Sequence, residues 1–156
     1  MDQLDWKIIC LLEDDGRLSF AELSEKVGLS KSPCWNRVQR LRNDGFINGF
    51  RAQLDPAALG LSVQCYISVT IGFDAHGDFE AAVCDHPAIM ECHTTAGASD
   101  YLLRVYAASV EHLDDLLRYE ISKLPGVQSS STTICLKTIK SGGSLAQLSQ
   151  NIVEKS

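Results

Sequence analysis

Residues 19–43 decide how the first half of the chain folds, and they read SFAELSEKVGLSKSPCWNRVQRLRN. Ser19 and Glu22 have the spacing of a capping box, in which each side chain accepts a hydrogen bond from the other residue's backbone amide at the start of a helix. Gly28 then provides a tight turn, and Ser30 is placed as the N-cap of a second, longer helix. The segment therefore predicts two helices joined by a turn, which is the helix-turn-helix unit.

The surface of the longer helix favours contact with double-stranded DNA. Apolar Cys34, Val38 and Leu41 recur at helical spacing and form one narrow seam. Hydrogen-bonding and basic groups cover the rest, and five bases but no acid occur between Lys26 and Arg42. The candidates for base contacts in the major groove are Ser32, Asn36, Gln39 and Arg40. The candidates for phosphate contacts are Lys31, Arg37, Arg42 and, further along the chain, Arg51. The alternative is a solvated surface, but such a surface usually mixes both signs of charge.

The flanking sequence completes a winged helix-turn-helix domain over residues 1–52. Residues 2–15 have apolar side chains at helical spacing and predict a first helix. Residues 46–52 alternate around Asn48-Gly49, a pair that favours a two-residue hairpin turn, so we expect a β-hairpin wing there. Asp55-Pro56 then interrupts the chain, and residues 53–60 are interpreted as a linker.

Residues 61–140 predict a second domain with the element order βαββαβ. The predicted strands are 61–73, 89–96, 101–107 and 127–139, and the predicted helices are 78–85 and 110–124. This order is the ferredoxin-like arrangement, so the fold class is α+β, with four antiparallel strands and two helices on one face. We expect the other face to carry alternating apolar groups that a second copy covers, which predicts a homodimer. Residues 141–156 are interpreted as a polar, loose or partner-dependent tail.

The net charge alone argues against a nucleic-acid partner, but the distribution of charge along the chain does not. The chain has 156 residues, of which 45% are hydrophobic and 22% charged, as in globular proteins. The net charge of −6 comes from residues 52–156, whereas residues 1–51 hold eight bases and eight acids. No apolar run reaches the roughly 20 residues that span a bilayer, and the start of the chain lacks a secretory pattern. We therefore expect a cytoplasmic protein without a membrane segment.

The cysteines and histidines leave two alternative functions to consider. Six cysteines are scattered without a CxxC pair, which predicts reduced structural thiols, no zinc ribbon and no cofactor. An enzyme is not expected, because Cys92 and His93 are neighbours on one strand and point to opposite faces. A metal- or thiol-responsive regulator is the other alternative. Its candidate residues are Cys84, His86, Cys92 and His93.

In this order, the motifs resemble the leucine-responsive regulatory protein/AsnC family of bacterial and archaeal transcription regulators. The resemblance covers residues 2–140, and it includes the motifs Val27-Gly28-Leu29-Ser30, Pro33-Cys34, Gly45-Phe46-Ile47 and Leu124-Pro125-Gly126-Val127. It implies a sequence-specific DNA-binding regulator that forms dimers and then tetramers, octamers or larger assemblies. It also implies that an amino acid binds to the C-terminal domain at an interface between dimers.

The resemblance places the amino-acid site at the loop between the second and third strands. The family pattern there is Gly, an acid, an aromatic residue and Asp, and this chain has Gly97, Ala98, Ser99 and Asp100. The two outer positions match, so a backbone close to the ligand and a carboxylate for its ammonium group are expected. Ala98 and Ser99 depart from the pattern and leave the identity of the effector open. A regulator that shapes DNA without any effector is the alternative, and Asp100 would then only cap backbone amides.

Overall fold

The computed structural model of the chain describes residues 1–153. The chain divides into two compact units, one containing Met1–Gln53 together with the segment from Lys140 onward, and the other containing Leu54–Ile139. No helix of the described residues is long and apolar enough to cross a membrane.

The first unit contains the three predicted helices, α1 (Gln3–Asp14), α2 (Phe20–Val27) and α3 (Lys31–Asn43). The Ser19–Glu22 capping box is present, and Gly28 ends α2 in the left-handed conformation at φ 75°. The apolar stripes of the three helices meet in one core. Its buried residues are Ile8, Leu12, Leu23, Val27, Cys34, Val38 and Leu41.

The predicted β-hairpin at Asn48-Gly49 does not form in the structure. Residues 46–52 contain no strand, and the described residues include no non-glycine residue at positive φ, as a type I′ turn at Asn48 would require. The segment instead returns to the helices. The Phe46 amide donates to the Leu41 carbonyl at 2.9 Å, and a Cβ atom on Gly16 would lie only 3.2 Å from Cδ1 of Phe50. The Phe50 ring thus packs against Gly16, in the turn after α1. Residues 46–52 do not form a pair of hydrogen-bonded strands.

The second unit has the predicted βαββαβ order. Its elements are β1 (Val63–Ile71), α4 (His76–Asp85), β2 (Ile89–Thr94), β3 (Tyr101–Ala107), α5 (Val110–Tyr119) and β4 (Val127–Cys135). The strands pair antiparallel in the order β2-β3-β1-β4. The predicted helix 110–124 is interrupted at Glu120, where φ is −120°, and a 3-10 turn follows at Ile121–Lys123. Ile121 and Leu124 remain buried in spite of this break.

The two faces of the sheet differ in polarity, and the prediction for the second face is wrong. The inner face carries Cys65, Ile67, Val69, Leu103 and Val105, which are buried. The outer positions of β1, β3 and β4 carry mainly hydroxyl, amide and charged groups. They are Gln64, Tyr66, Ser68, Thr70, Leu102, Arg104, Tyr106, Ser129, Ser131, Thr133 and Cys135. Strand β4 contributes serines and threonines to this face, so the outer face is not apolar.

The C-terminal segment forms helix α6 (Leu145–Val153) and is not a loose tail. Glu13 of α1 accepts hydrogen bonds from Ser144 Oγ at 2.6 Å and from the Leu145 amide at 2.8 Å, which satisfies the start of the helix. Ala146 is buried. The hydrogen bond from Ser144 is the main reason why the pKa of Glu13 is lowered. The final part of the predicted tail, residues 154–156, lies outside the described residues.

Candidate functional sites

Helix α3 presents a polar face directly opposite its buried seam. Successive residues of an α-helix are rotated by about 100°, which places one set of side chains on the side away from Cys34, Val38 and Leu41. That set is Ser32, Asn36, Gln39 and Asn43. Ser32, Asn36 and Asn43 are exposed, and Gln39 is half-buried. The helix therefore offers hydroxyl and amide groups along one line, which can bond to base edges in a major groove.

The two flanks of this polar face differ in charge. Lys31 and Arg42 lie on one flank, both exposed, and within the described residues neither has an ion-pair partner. Arg37 and Arg40 lie on the other flank and are both ion-paired to acids of α1. The structure therefore leaves free cationic charge on one flank only.

The acids that neutralise the second flank are Asp2 and Asp5. Arg37 Nη1 is 2.6 Å from Asp2 Oδ2 and 2.7 Å from Asp5 Oδ1, and Arg40 Nη2 is 2.6 Å from Asp5 Oδ2. The Asp5 side chain is only 2% exposed, whereas that of Arg40 is 53% exposed. Burial raises the pKa of Asp5, but the Asp2 amide and the two guanidinium groups outweigh this and lower it. The ion pairs in turn raise the pKa of Arg37.

Sequence reasoning did not find this acidic pair. Asp2 and Asp5 have the spacing of a capping box, and the structure shows that box at the start of α1, with 2.9 and 3.0 Å between amide and carboxylate. The capping-box spacing of Asp2 and Asp5 was the feature of the sequence that could have revealed this pair. Asp5 also occupies the position of the buried stripe that Ile8 and Leu12 continue, so a carboxylate where an apolar residue fits indicates a buried partner.

Two further residues of the predicted interface lie at its borders. Arg51 is exposed in the irregular segment after α3 and makes no ion pair within the described residues. Trp35, four residues after Lys31 on α3, is 48% exposed, so about half of it remains on the surface.

The predicted effector loop joins β2 to β3 in the second unit. Gly97 and Ala98 are exposed, and their amides donate to no acceptor in the part of the chain that the structure describes. Thr95 closes the loop, because its amide donates to the Asp100 carbonyl at 2.8 Å and its Oγ1 donates to the Ser99 carbonyl at 2.6 Å. The loop is therefore fixed at its ends and has free donors at its tip.

Asp100 connects this loop to strand β1. Its amide donates to the Val69 carbonyl at 3.0 Å, and its Oδ2 accepts from the Ile71 amide at 2.9 Å. The amide-capping role is thus present in the structure for one carboxylate oxygen. Among residues 1–153 the other oxygen, Oδ1, has no hydrogen-bond partner.

A buried tyrosine lies directly behind the loop. The hydroxyl of Tyr101 donates to Glu80 Oε1 at 2.7 Å and is 2.8 Å from His76 Nδ1, and its ring packs against Phe79 at 4.6 Å between centroids. Burial, followed by the hydrogen bond to Glu80, raises the pKa of Tyr101 to about 12. Tyr101 therefore stays neutral and ties the start of β3 to helix α4.

The candidates for a metal response do not form a metal-binding group within the described residues. Within residues 1–153 no group of three His, Cys, Asp or Glu side chains could hold a metal ion. Both ring nitrogens of His86 are occupied, Nε2 by Glu120 at 3.1 Å and Nδ1 by the Ala88 amide at 3.3 Å. Cys92 is paired in register with inward-facing Leu103 and His93 with outward-facing Leu102, so they lie on opposite faces.

A helix-turn-helix unit with a polar, partly cationic helix α3, followed by a ferredoxin-like domain, defines the class of DNA-binding transcription regulators. Comparison with known proteins agrees. The profile of the winged helix-turn-helix DNA-binding domain matches residues 1–48, and that of the Lrp/AsnC ligand binding domain matches residues 64–145. The chain belongs to the Lrp/AsnC family.

Relatives and solved structures that are similar to this chain include transcription regulators. The proline dehydrogenase transcriptional activator of Rhizobium radiobacter is 39% identical and aligns over 92% of this chain and 94% of its own length. The leucine-responsive regulatory protein of Escherichia coli K12 is 36% identical and aligns over 93% of this chain and 90% of its own length. A Neisseria meningitidis regulator solved with L-Met has a TM-score of 0.89 and 35% identity, covering 93% of this chain and 96% of that one. The chain is thus a DNA-binding transcription regulator and not an enzyme.

Proposed function

We propose that α3 enters the major groove and that its polar face reads base edges. The observation that supports this most directly is the line of polar groups opposite the seam, bordered by the free cations Lys31 and Arg42. Ser32, Asn36, Gln39 and Arg40 would contact bases. Lys31, Arg42 and Arg51 would contact phosphates. Arg37 would contribute less, because its Nη1 already binds Asp2 and Asp5.

The test is the salt dependence of binding to a duplex selected from random DNA by the wild-type protein. Removing Lys31 and Arg42 together should weaken binding to all sequences and reduce the slope of log K against log salt by about two for each subunit bound to the duplex, since each phosphate contact contributes about one. Lys7→Ala is the matched control, because it removes an exposed cation from α1 and should leave the slope unchanged. An unchanged slope in the double variant would contradict the assignment.

We further propose that the loop at Gly97–Ala98–Ser99–Asp100 binds an α-amino acid. The free amides of Gly97 and Ala98 can hold a carboxylate, and the unpaired Oδ1 of Asp100 can accept a bond from an ammonium group. The Neisseria relative was solved with L-Met, and other relatives carry leucine or proline in their names. Methionine, leucine and proline are therefore the first ligands to test.

Calorimetric titration of all twenty amino acids into the full chain tests this site. Asp100→Asn should reduce the affinity of any ligand by at least about tenfold, because it removes the negative charge facing the ammonium group. Asp85→Asn removes an exposed carboxylate from the C-terminal end of α4. This control variant should bind the ligand as the wild type does. Equal binding by wild type and Asp100→Asn would place the site elsewhere. No binding to the wild type would favour the regulator that acts without an effector.

We also propose that two copies associate through the outer face of the sheet and that these dimers form tetramers, octamers or larger assemblies. Arg104 lies on this face among hydroxyl and amide groups that can bond to a second copy, and its Nη2 binds Glu91 at 2.5 Å. Light scattering on the full chain should show a dimer or larger species at micromolar concentration, and Arg104→Ala should weaken it.

The domain assignment is proposed on the same basis. Residues 1–52 would bind DNA, residues 53–60 would link the domains, and residues 61–140 would bind the effector and mediate assembly. A DNA-binding regulator acts in the compartment that contains the DNA. We propose that this protein is located in the cytoplasm.

A further inference from the structure

The carboxylate of Asp5 bridges two arginines on successive turns of α3. Its Oδ1 binds Arg37 at 2.7 Å and its Oδ2 binds Arg40 at 2.6 Å, and the Asp5 side chain is 2% exposed. Arg37 is held a second time by Asp2, whereas Asp5 is the only acid that holds Arg40 within the described residues. A single buried group thus determines where the Arg40 guanidinium lies.

Arg40 is bound to Asp5 and still has free hydrogen-bond donors. Its bond to Asp5 goes through Nη2, and Nη1 and Nε have no partner within residues 1–153. The side chain is 53% exposed and lies at the edge of the polar face of α3. A guanidinium has five N–H donors in a rigid fork, so one edge can bind a carboxylate while another edge binds a second planar group.

We propose that Asp5 is a positioning residue, which fixes Arg40 for two parallel hydrogen bonds to the O6 and N7 atoms of a guanine. Arginine pairs with guanine in this bidentate way, and an unrestrained arginine loses considerable rotamer freedom on binding. The bond to Asp5 removes most of that freedom before DNA arrives. The role rests on the proposed DNA interface, because it requires α3 to lie in the major groove.

The carboxylate also acts against binding to other sequences. A negative charge close to the phosphates weakens attraction to any DNA, whereas the orientation it gives to Arg40 helps only where a guanine is in reach. Asp5 should therefore lower general affinity and raise preference for guanine at one position. An apolar residue packed beside Ile8 would provide comparable stability without either effect, since buried ion pairs are often no more stabilising than apolar contacts.

The experiment compares Asp5→Asn with Arg40→Ala and with the control Asp2→Asn. Selection from a random duplex library gives the base preference of each full-length variant, and titration of the selected duplex and of an unrelated duplex gives the two affinities. Asp5→Asn should lose preference for guanine at the same position as Arg40→Ala and bind the selected duplex about tenfold more weakly. Its affinity for the unrelated duplex should be equal to the wild type's or higher.

The control separates orientation from charge. Asp2→Asn removes the same charge from the same helix, but Asp2 contacts Arg37 and not Arg40, so guanine preference should persist. Thermal unfolding of each variant checks that it is folded at the assay temperature. Equal weakening on both duplexes by Asp5→Asn, with guanine preference retained, would overturn the positioning role. If Arg40→Ala itself left base preference unchanged, the assignment of Arg40 to the reading face would fail instead.

Discussion

Each unit of the molecule places one aspartate beside its candidate site, and the two aspartates differ in how many oxygens are already bonded. Asp5 is buried and both of its oxygens are ion-paired to arginines of α3. Asp100 is half-buried, and only Oδ2 is bonded, to the amide of Ile71. A fully bonded carboxylate can orient its neighbours but has little capacity for a ligand. A carboxylate with one bonded oxygen can be held in place by the sheet and still accept a hydrogen bond from a ligand through its other oxygen.

The largest effect on stability should come from Asp5→Ala. The substitution leaves Arg40 without an acid and Arg37 with only Asp2, and it removes the acceptor of the Asp2 amide. Breaking a buried pair costs about 3–5 kcal/mol, but Arg40 is half exposed, so we expect a loss of about 2 kcal/mol in the free energy of unfolding. Urea denaturation at neutral pH measures it. A loss no greater than that of Asp100→Ala would break the distinction between the two aspartates.

Asp100→Ala should cost less, about 1–2 kcal/mol, because it leaves one backbone amide, that of Ile71, without its acceptor. Asp100→Asn keeps an oxygen at that position and should restore most of the stability. The same urea titrations measure both variants. If Asn were as destabilising as Ala, the contribution of Asp100 would come from its charge and not from the bond to Ile71.

Acid should reduce the stabilisation that Asp5 provides. The pKa of Asp5 is lowered in the folded protein, so its stabilisation is fully present above the ordinary carboxyl value of 3.8 and is lost as the pH falls through its lower folded value. The difference in unfolding free energy between wild type and Asp5→Asn should therefore shrink below about pH 4. Urea midpoints at pH 7 and pH 3 test this. A difference that grew in acid would contradict the sign.

The smallest effect should come from Gly97→Ala. Nothing lies within 4 Å of the position that a Cβ would occupy, and Gly97 does not adopt a positive φ, so the free protein should change by less than about 0.5 kcal/mol. Thermal unfolding without ligand measures this. If an amino acid binds close to the backbone here, the same variant should weaken its binding.

The sequence predicted the helices and strands well where local signals and burial agreed. The Ser19–Glu22 box and the alternation in β1 are such cases. It failed where a distant contact decided the outcome. The Asn48-Gly49 pair predicted a hairpin, but Phe50 packs against Gly16 instead. The tail lacked a strong pattern, and Glu13, more than 130 residues earlier, provides the cap that starts α6.

The candidate sites show the same limit. The pattern of α3 predicted which side chains are on its surface, because helical spacing alone fixes that. It could not predict that Arg37 and Arg40 are neutralised, since their partners lie on another helix and in the first five residues of the chain. For the effector loop, the motif gave the position of Asp100 but not that one of its oxygens is bonded to Ile71.

The return of the C-terminal helix to α1 has a consequence for limited proteolysis. The chain leaves the first unit after Gln53, forms the whole second unit, and comes back at Lys140, where Glu13 caps α6 and Ala146 is buried. A single cut between residues 54 and 62 would break one covalent connection but leave α6 bound to α1. The two fragments should therefore elute together under native conditions.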